Sequence, residues 1–246
     1  MKTTMKRIAI ILLVAAILIP ITLANPYGPT SIENVTTSRT NITGDPQALG
    51  AQAGNVTQLT INTTIVTKRW QGYYGNISGK VVLGDASGNT MFDWTGGSSF
   101  SPVGEIYAAN NTVVDWGNVN CVNFSGNGSI GTQGINHTTL ESMYGMASSD
   151  SDGIDETFRG YSNITIGTRE LLNCRSTNTY DNNGAQTSYF NETILTEYNQ
   201  NTVIYATEVS QNTVGFDGNI WDFQMLVADN GDDDASTVYY FYVELT

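Results

Sequence analysis

From residue 56 onward this chain is dominated by short runs in which apolar and polar residues alternate, each cut off within a few positions by Gly, Asn, Asp or Ser. A period of two sends successive side chains to opposite faces of an extended backbone, so such runs fold as half-buried strands and not as helices. Leu59, Ile61, Thr63 and Ile65 share one face and predict the first strand. Val81 and Leu83, then Thr90, Phe92 and Trp94, flank Asp85–Asn89 as the arms of a hairpin. Glu105–Ala108, Val113–Trp116 and Ile164–Gly167 read as further short strands. Val203, Tyr205, Thr207 and Val209 alternate next, followed by the turn Gly215–Gly218 and by Trp221, Phe223, Met225 and Val227. Tyr239, Phe241, Val243 and Leu245 supply the last strand, expected to pair with the preceding one across Asp229–Asp234.

Helical spacing occurs once. Thr138-Thr139-Leu140-Glu141 matches a capping box, and Leu140, Met143 and Tyr144 follow at helical intervals. Many short strands, frequent Gly and Asn turns and one short helix define an all-β chain: a β-sandwich of immunoglobulin-like architecture, not necessarily of immunoglobulin topology. Residues 25–54 hold Pro26, Pro29 and Pro46 among Ser, Thr, Asn and Gly. That composition predicts an extended N-terminal tail ahead of a β-sandwich ectodomain at 55–246.

Residues 1–24 read as a signal peptide. Lys2, Lys6 and Arg7 precede an apolar run from Ile8 to Ile19, and Thr22-Leu23-Ala24 offers small residues for cleavage. The run is too short to span a hydrocarbon core of about 30 Å, so no stable membrane span is expected. An exported chain with two cysteines predicts a Cys121–Cys174 disulfide. A single histidine and no Cys-x-x-Cys disfavour zinc.

Eleven Asn-x-Ser/Thr triplets mark acceptors for covalent N-glycans: Asn34, Asn41, Asn55, Asn62, Asn76, Asn110, Asn123, Asn127, Asn136, Asn163 and Asn191. With 25 Asn and 50 Ser or Thr in 246 residues, chance gives roughly five, so the excess favours use as acceptors. Removing residues 1–24 takes away three of the ten basic groups and no acidic one, which deepens the formal charge from −13 to −16. A nucleic-acid or anionic-lipid partner is not expected at that charge.

Candidate chemistry is sparse. Gly126-Asn127-Gly128-Ser129-Ile130-Gly131 spells a dinucleotide fingerprint, but it lacks the preceding strand and following helix that the motif requires. No Gly-x-Ser-x-Gly elbow exists, and His137 lies inside an acceptor triplet, which argues against a Ser-His-Asp hydrolase. The alternate acids Asp150, Asp152 and Asp155 around Gly153 form a candidate calcium loop, calcium being the one possible cofactor, although the twelve-residue EF-hand spacing is missing. Trp70, Tyr73 and Tyr74 offer either core packing or a sugar-stacking platform.

Five segments carry a resemblance: Gly28–Ile32, Thr67–Gly79, Ser151–Phe158, Asp222–Val227 and Tyr239–Leu245. They resemble a family of secreted archaeal surface glycoproteins. That resemblance implies an archaeal source, a signal peptide and a β-rich glycosylated ectodomain, and it supplies no catalytic residue. The expectation is a non-enzymatic, extracellular structural protein of the cell surface that self-associates in an envelope or filament. An adhesin or carbohydrate-binding module stabilised by calcium is the second expectation.

Overall fold

A computed structural model describes residues 25–40, 46, 48–94, 103–124, 135–197, 202–231 and 236–245. Strands take up 42% of the chain and helices 7%, which settles the all-β class. In chain order the strands are β1 (Trp70–Gly75), β2 (Val82–Gly84), β3 (Thr90–Asp93), β4 (Gly104–Ala109), β5 (Val119–Cys121), β6 (Gly160–Ile166) and β7 (Arg169–Tyr180). They continue with β8 (Gln186–Glu197), β9 (Thr202–Glu208), β10 (Thr213–Val214), β11 (Ile220–Trp221), β12 (Phe223–Ala228) and β13 (Tyr240–Leu245). Two short helices, α1 (His137–Met143) and α2 (Ile154–Thr157), join them, with a 3-10 turn at Trp116–Asn118.

The main sheet runs β13-β4-β9-β8-β7-β6 and is antiparallel throughout. Its central strand β9 is buried on both sides: Val203, Ile204, Tyr205 and Ala206 are at most 1% exposed. One face, with Ile106, Ala108, Ile194, Val203 and Tyr205, packs against Met225 and Val227 of β12 and against Leu140, Tyr144, Ile154 and Phe158 of the helical segment. There β12 pairs with β1, from Trp70↔Ala228 to Gly75↔Phe223, so a two-stranded ribbon forms the second layer of a sandwich-like fold. The opposite face, with Tyr107, Ala109, Leu195, Ile204 and Ala206, packs on Trp116, Val119, Ile164 and Ile166.

Ile164 and Ile166 belong to β6, the far end of the sheet from β13, yet they share a core with Tyr107 on β4. The Gly167 amide at the β6–β7 turn donates to Glu244 Oε1 on β13 at 2.7 Å. Arg169 completes the cover by donating to the carbonyls of Gly117 and Val119. The sheet thus curls until its two ends meet over the second core.

Cys121 and Cys174 form the expected disulfide. Ser176 of β7 pairs with Thr193 of β8, while Cys121 of β5 pairs with Leu195, so β5 replaces β7 along the same edge. The bridge fastens the two strands where one gives way to the other. It lies within one sheet, unlike the inter-sheet bridge of immunoglobulin domains.

Several expected elements differ. Leu59–Ile65 joins no strand, and its apolar side chains are exposed. Val113–Trp116 is not a strand, because Asp115 accepts from the Gly117 amide at 3.1 Å and from Asn118 Nδ2 at 2.7 Å and turns the chain into the 3-10 turn. The last two long strands do not form a hairpin: β12 joins β1 in the second layer, and β13 joins β4 in the main sheet. The helices number two among the described residues, not one. Asn136 caps α1 by accepting from the Thr138 amide at 3.1 Å, which displaces the expected Thr138 cap and frees Glu141 for another role. Residues 1–24, Asn41, the segment 125–134 with Asn127, and Asp232–Asp234 lie outside the described residues.

Candidate cation site

Helix α1 lays Leu140 and Tyr144 into the first core. Gly145, at φ +64, ends it in a conformation that costs glycine nothing. The chain then turns through Ala147–Asp150, where Asp150 Oδ2 accepts from the Ala147 amide at 2.8 Å, and enters α2 at Gly153. Ile154 and Phe158, both 0% exposed, pin α2 to the same core. Packing of both helices on one core brings Glu141 of α1 against Asp155 and Glu156 of α2.

One carboxylate oxygen from each of these three residues lies within 4.8 Å of the other two. Glu141 is 4% exposed. Its Oε1, with Asp155 Oδ1 and Glu156 Oε2, is buried, and with all three groups ionised none of these oxygens has a hydrogen-bond donor. Gly153 makes the approach possible: a Cβ there would stand 2.6 Å from Glu156 Oε2 and 3.3 Å from Glu141 Oε1. Crowded acids redistribute protons. Burial, then a hydrogen bond with Asp155, raises the Glu141 pKa, whereas the hydrogen bond with Asp155, then burial, raises that of Glu156. Asp155, the acceptor between them, is lowered chiefly by its hydrogen bond with Glu156. Buried carboxylates this close are held together by shared protons or by a shared cation.

The structure does not assemble the expected calcium loop. Of Asp150, Asp152 and Asp155, only Asp155 reaches the cluster. Asp150 closes its own turn, and Asp152 anchors the approach to β1, accepting from Thr67 Oγ1 at 2.5 Å while its carbonyl accepts from Trp70 Nε1 at 2.6 Å. In the sequence a capping box accounts for Glu141, and Glu156 falls outside the spacing of the alternate acids Asp150, Asp152 and Asp155.

Comparison with protein-family models, curated proteins and solved structures finds no match. Function must be argued from this chain's own residues.

The acceptor asparagines divide by environment. Asn34, Asn55, Asn62, Asn76 and Asn163 are exposed, whereas Asn110, Asn123, Asn136 and Asn191 are half-buried. Asn110 Oδ1 accepts from the Val203 amide at 3.0 Å, and Asn191 Nδ2 donates to Glu208 Oε1 at 3.3 Å. Three of the exposed acceptors, Asn34, Asn55 and Asn62, precede β1. The aromatics Trp70, Tyr73 and Tyr74 do not form one platform. Trp70 packs on Phe158 and Tyr205 in the core, Tyr73 meets Phe241 edge-on, and Tyr74 joins Phe216 and Trp221. His137 stacks flat on Phe124, 4.9 Å between ring centroids.

Proposed function

We propose that this protein is an extracellular structural glycoprotein of the cell surface, which self-associates in an envelope layer or filament by lending its N-terminal segment to a neighbouring copy. One observation carries the reading: Leu59, Ile61 and Ile65, which alternate in the sequence, are 58%, 83% and 86% exposed in a segment with no strand partner among the described residues. An alternating apolar strand left in water is the donor in β-strand addition. Once this segment adopts a strand, Asn62 falls on the opposite face, which would keep a glycan clear of the apolar side.

The main sheet offers an acceptor. Among the described residues the outer edge of β13 is engaged only at Val243, which exchanges backbone hydrogen bonds of 3.0 and 2.8 Å with Tyr27. That bridge supports the reading, since this edge already accepts antiparallel backbone. The intrachain disulfide and the absence, among the described residues, of any helix long and apolar enough to cross a membrane are compatible with an extracellular setting. The test is electron microscopy and solution mass of the glycosylated chain beside its Ile61→Asp/Ile65→Asp variant. Ordered assemblies of the first and a folded monomer of the second are expected. A parent chain that stays monomeric at all concentrations would sink the proposal.

The second reading, an adhesin or carbohydrate-binding module, draws on the half-exposed cluster of Tyr74, Phe216 and Trp221. Its rings meet at 64° and 73°, so they shield one another's faces and offer no flat stacking surface. Glycan-array binding lost on Phe216→Ala would favour it.

A further inference from the structure

We infer that Glu141, Asp155 and Glu156 form a calcium site that fastens α1 to α2. Glu141 supplies the decisive observation. It is more than nine-tenths buried, and its Oε1 is aimed into the cluster without a hydrogen-bond partner. A buried carboxylate in that position either keeps a proton or takes a positive charge beside it, and one divalent cation would satisfy all three acids together. His137 and Arg159 act on the cluster from a distance, but neither hydrogen-bonds the three orphan oxygens.

The donor chemistry selects the ion. All three groups are carboxylates, hard oxygen donors that suit calcium or magnesium and not zinc or copper. Two oxygens on one calcium at the usual 2.3–2.6 Å lie at most about 4.6–5.2 Å apart, a limit that accommodates the 4.8 Å cluster. The space at Gly153 has a fourth oxygen on its wall, the Asp150 carbonyl, 3.4 Å from where a Cβ would stand. Three side chains and a carbonyl leave coordination positions for water, which calcium tolerates with flexible geometry, whereas magnesium demands a near-ideal octahedron. Irregular, half-open oxygen sites of this kind bind calcium at about 10⁻⁴–10⁻³ M, a range suited to extracellular modules.

This inference stands apart from the assembly reading, because it is measured on the dispersed full chain. After chelation, calcium is titrated in by calorimetry, and thermal unfolding is followed in parallel. Saturable binding is expected, with a rise in melting midpoint of about 3–6 °C at ten times Kd. Glu156→Gln, at a partly exposed position that folding tolerates, should weaken binding at least tenfold and remove the rise, and Asp155→Asn should do the same. Glu141→Gln, at the buried position, is the more severe change and is not needed for the test. No heat and no midpoint shift up to about ten times the weakest expected Kd would overturn the site. So would a shift that survives in both variants. An equal response to magnesium would overturn the assignment to calcium.

Discussion

The centre of the main sheet and the segment before β1 carry the same kind of pattern and meet opposite fates. In β9, Val203 and Tyr205 face one core and Ile204 and Ala206 the other, and none is more than 1% exposed. In the segment before β1, Leu59, Ile61 and Ile65 alternate as regularly, yet all are exposed. Alternation specifies a face that wants burial, but only pairing partners on both edges and layers on both faces provide it. For β9 those partners come from the same chain. For Leu59–Ile65, under the proposed function, they come from another copy.

The contrast is tested most strongly by cutting into the core. Phe158→Ala, at a fully buried position packed against Trp70 and Tyr205, should cost about 3–5 kcal/mol in urea unfolding. A loss below about 1 kcal/mol would mean that α2 does not close the first core as described. Next comes the disulfide. Replacing Cys121 and Cys174 by Ala removes a link across 53 residues, and a loss of about 2–4 kcal/mol is expected, measured against the oxidised parent.

A smaller effect distinguishes the core by its charge. Glu105 pairs directly with Glu244 on β13 and Glu208 on β9, a row of three acids across three strands. Burial first, then Glu244 and Glu208, raise its pKa from 4.5 to about 7. Between those values the folded chain holds a proton that the unfolded chain has released. The associated stability is full below about pH 4.5 and is lost as pH rises through about 7. Thermal unfolding should therefore show a loss of about 2 kcal/mol between pH 5 and 8, part of which vanishes in Glu105→Gln. A melting midpoint of the parent that stays flat over this window would remove the proton from the argument.

How much of this the residues disclosed follows from the same physics. Strands with apolar faces, β4, β9, β12 and β13, were legible because burial and period agreed. The two longest strands, β7 and β8, were not. They bury Ser176, Thr177, Glu192, Thr193, Thr196 and Glu197, and polar residues inside a core erase the alternation that marks a strand. Glu192 is the extreme case: it is 0% exposed, its Oε2 accepts from the Leu226 amide of β12 at 2.8 Å, and burial raises its pKa far above the ordinary range. The cation cluster was legible in part. Asp155 stands in the acidic motif, but Glu141, fourteen positions upstream, joins it only through helix packing that no local pattern records.

The smallest expected effect on stability is in the segment before β1. Ile61→Asp places a charge on a side chain 83% exposed, with no strand beside it, so the unfolding midpoint of the dispersed chain should change by less than about 0.5 kcal/mol. Assembly should respond in the opposite sense, since a carboxylate entering an intermolecular sheet has to be desolvated. Hydrogen exchange gives the same comparison without substitution: amides of β9 should resist exchange to near the global unfolding limit, while those of 56–65 exchange freely until the chain associates. Protection across 56–65 in the dispersed monomer would show that this segment finds its partner within its own chain, and the distinction between the two regions would then lie in packing strength and not in the number of copies required.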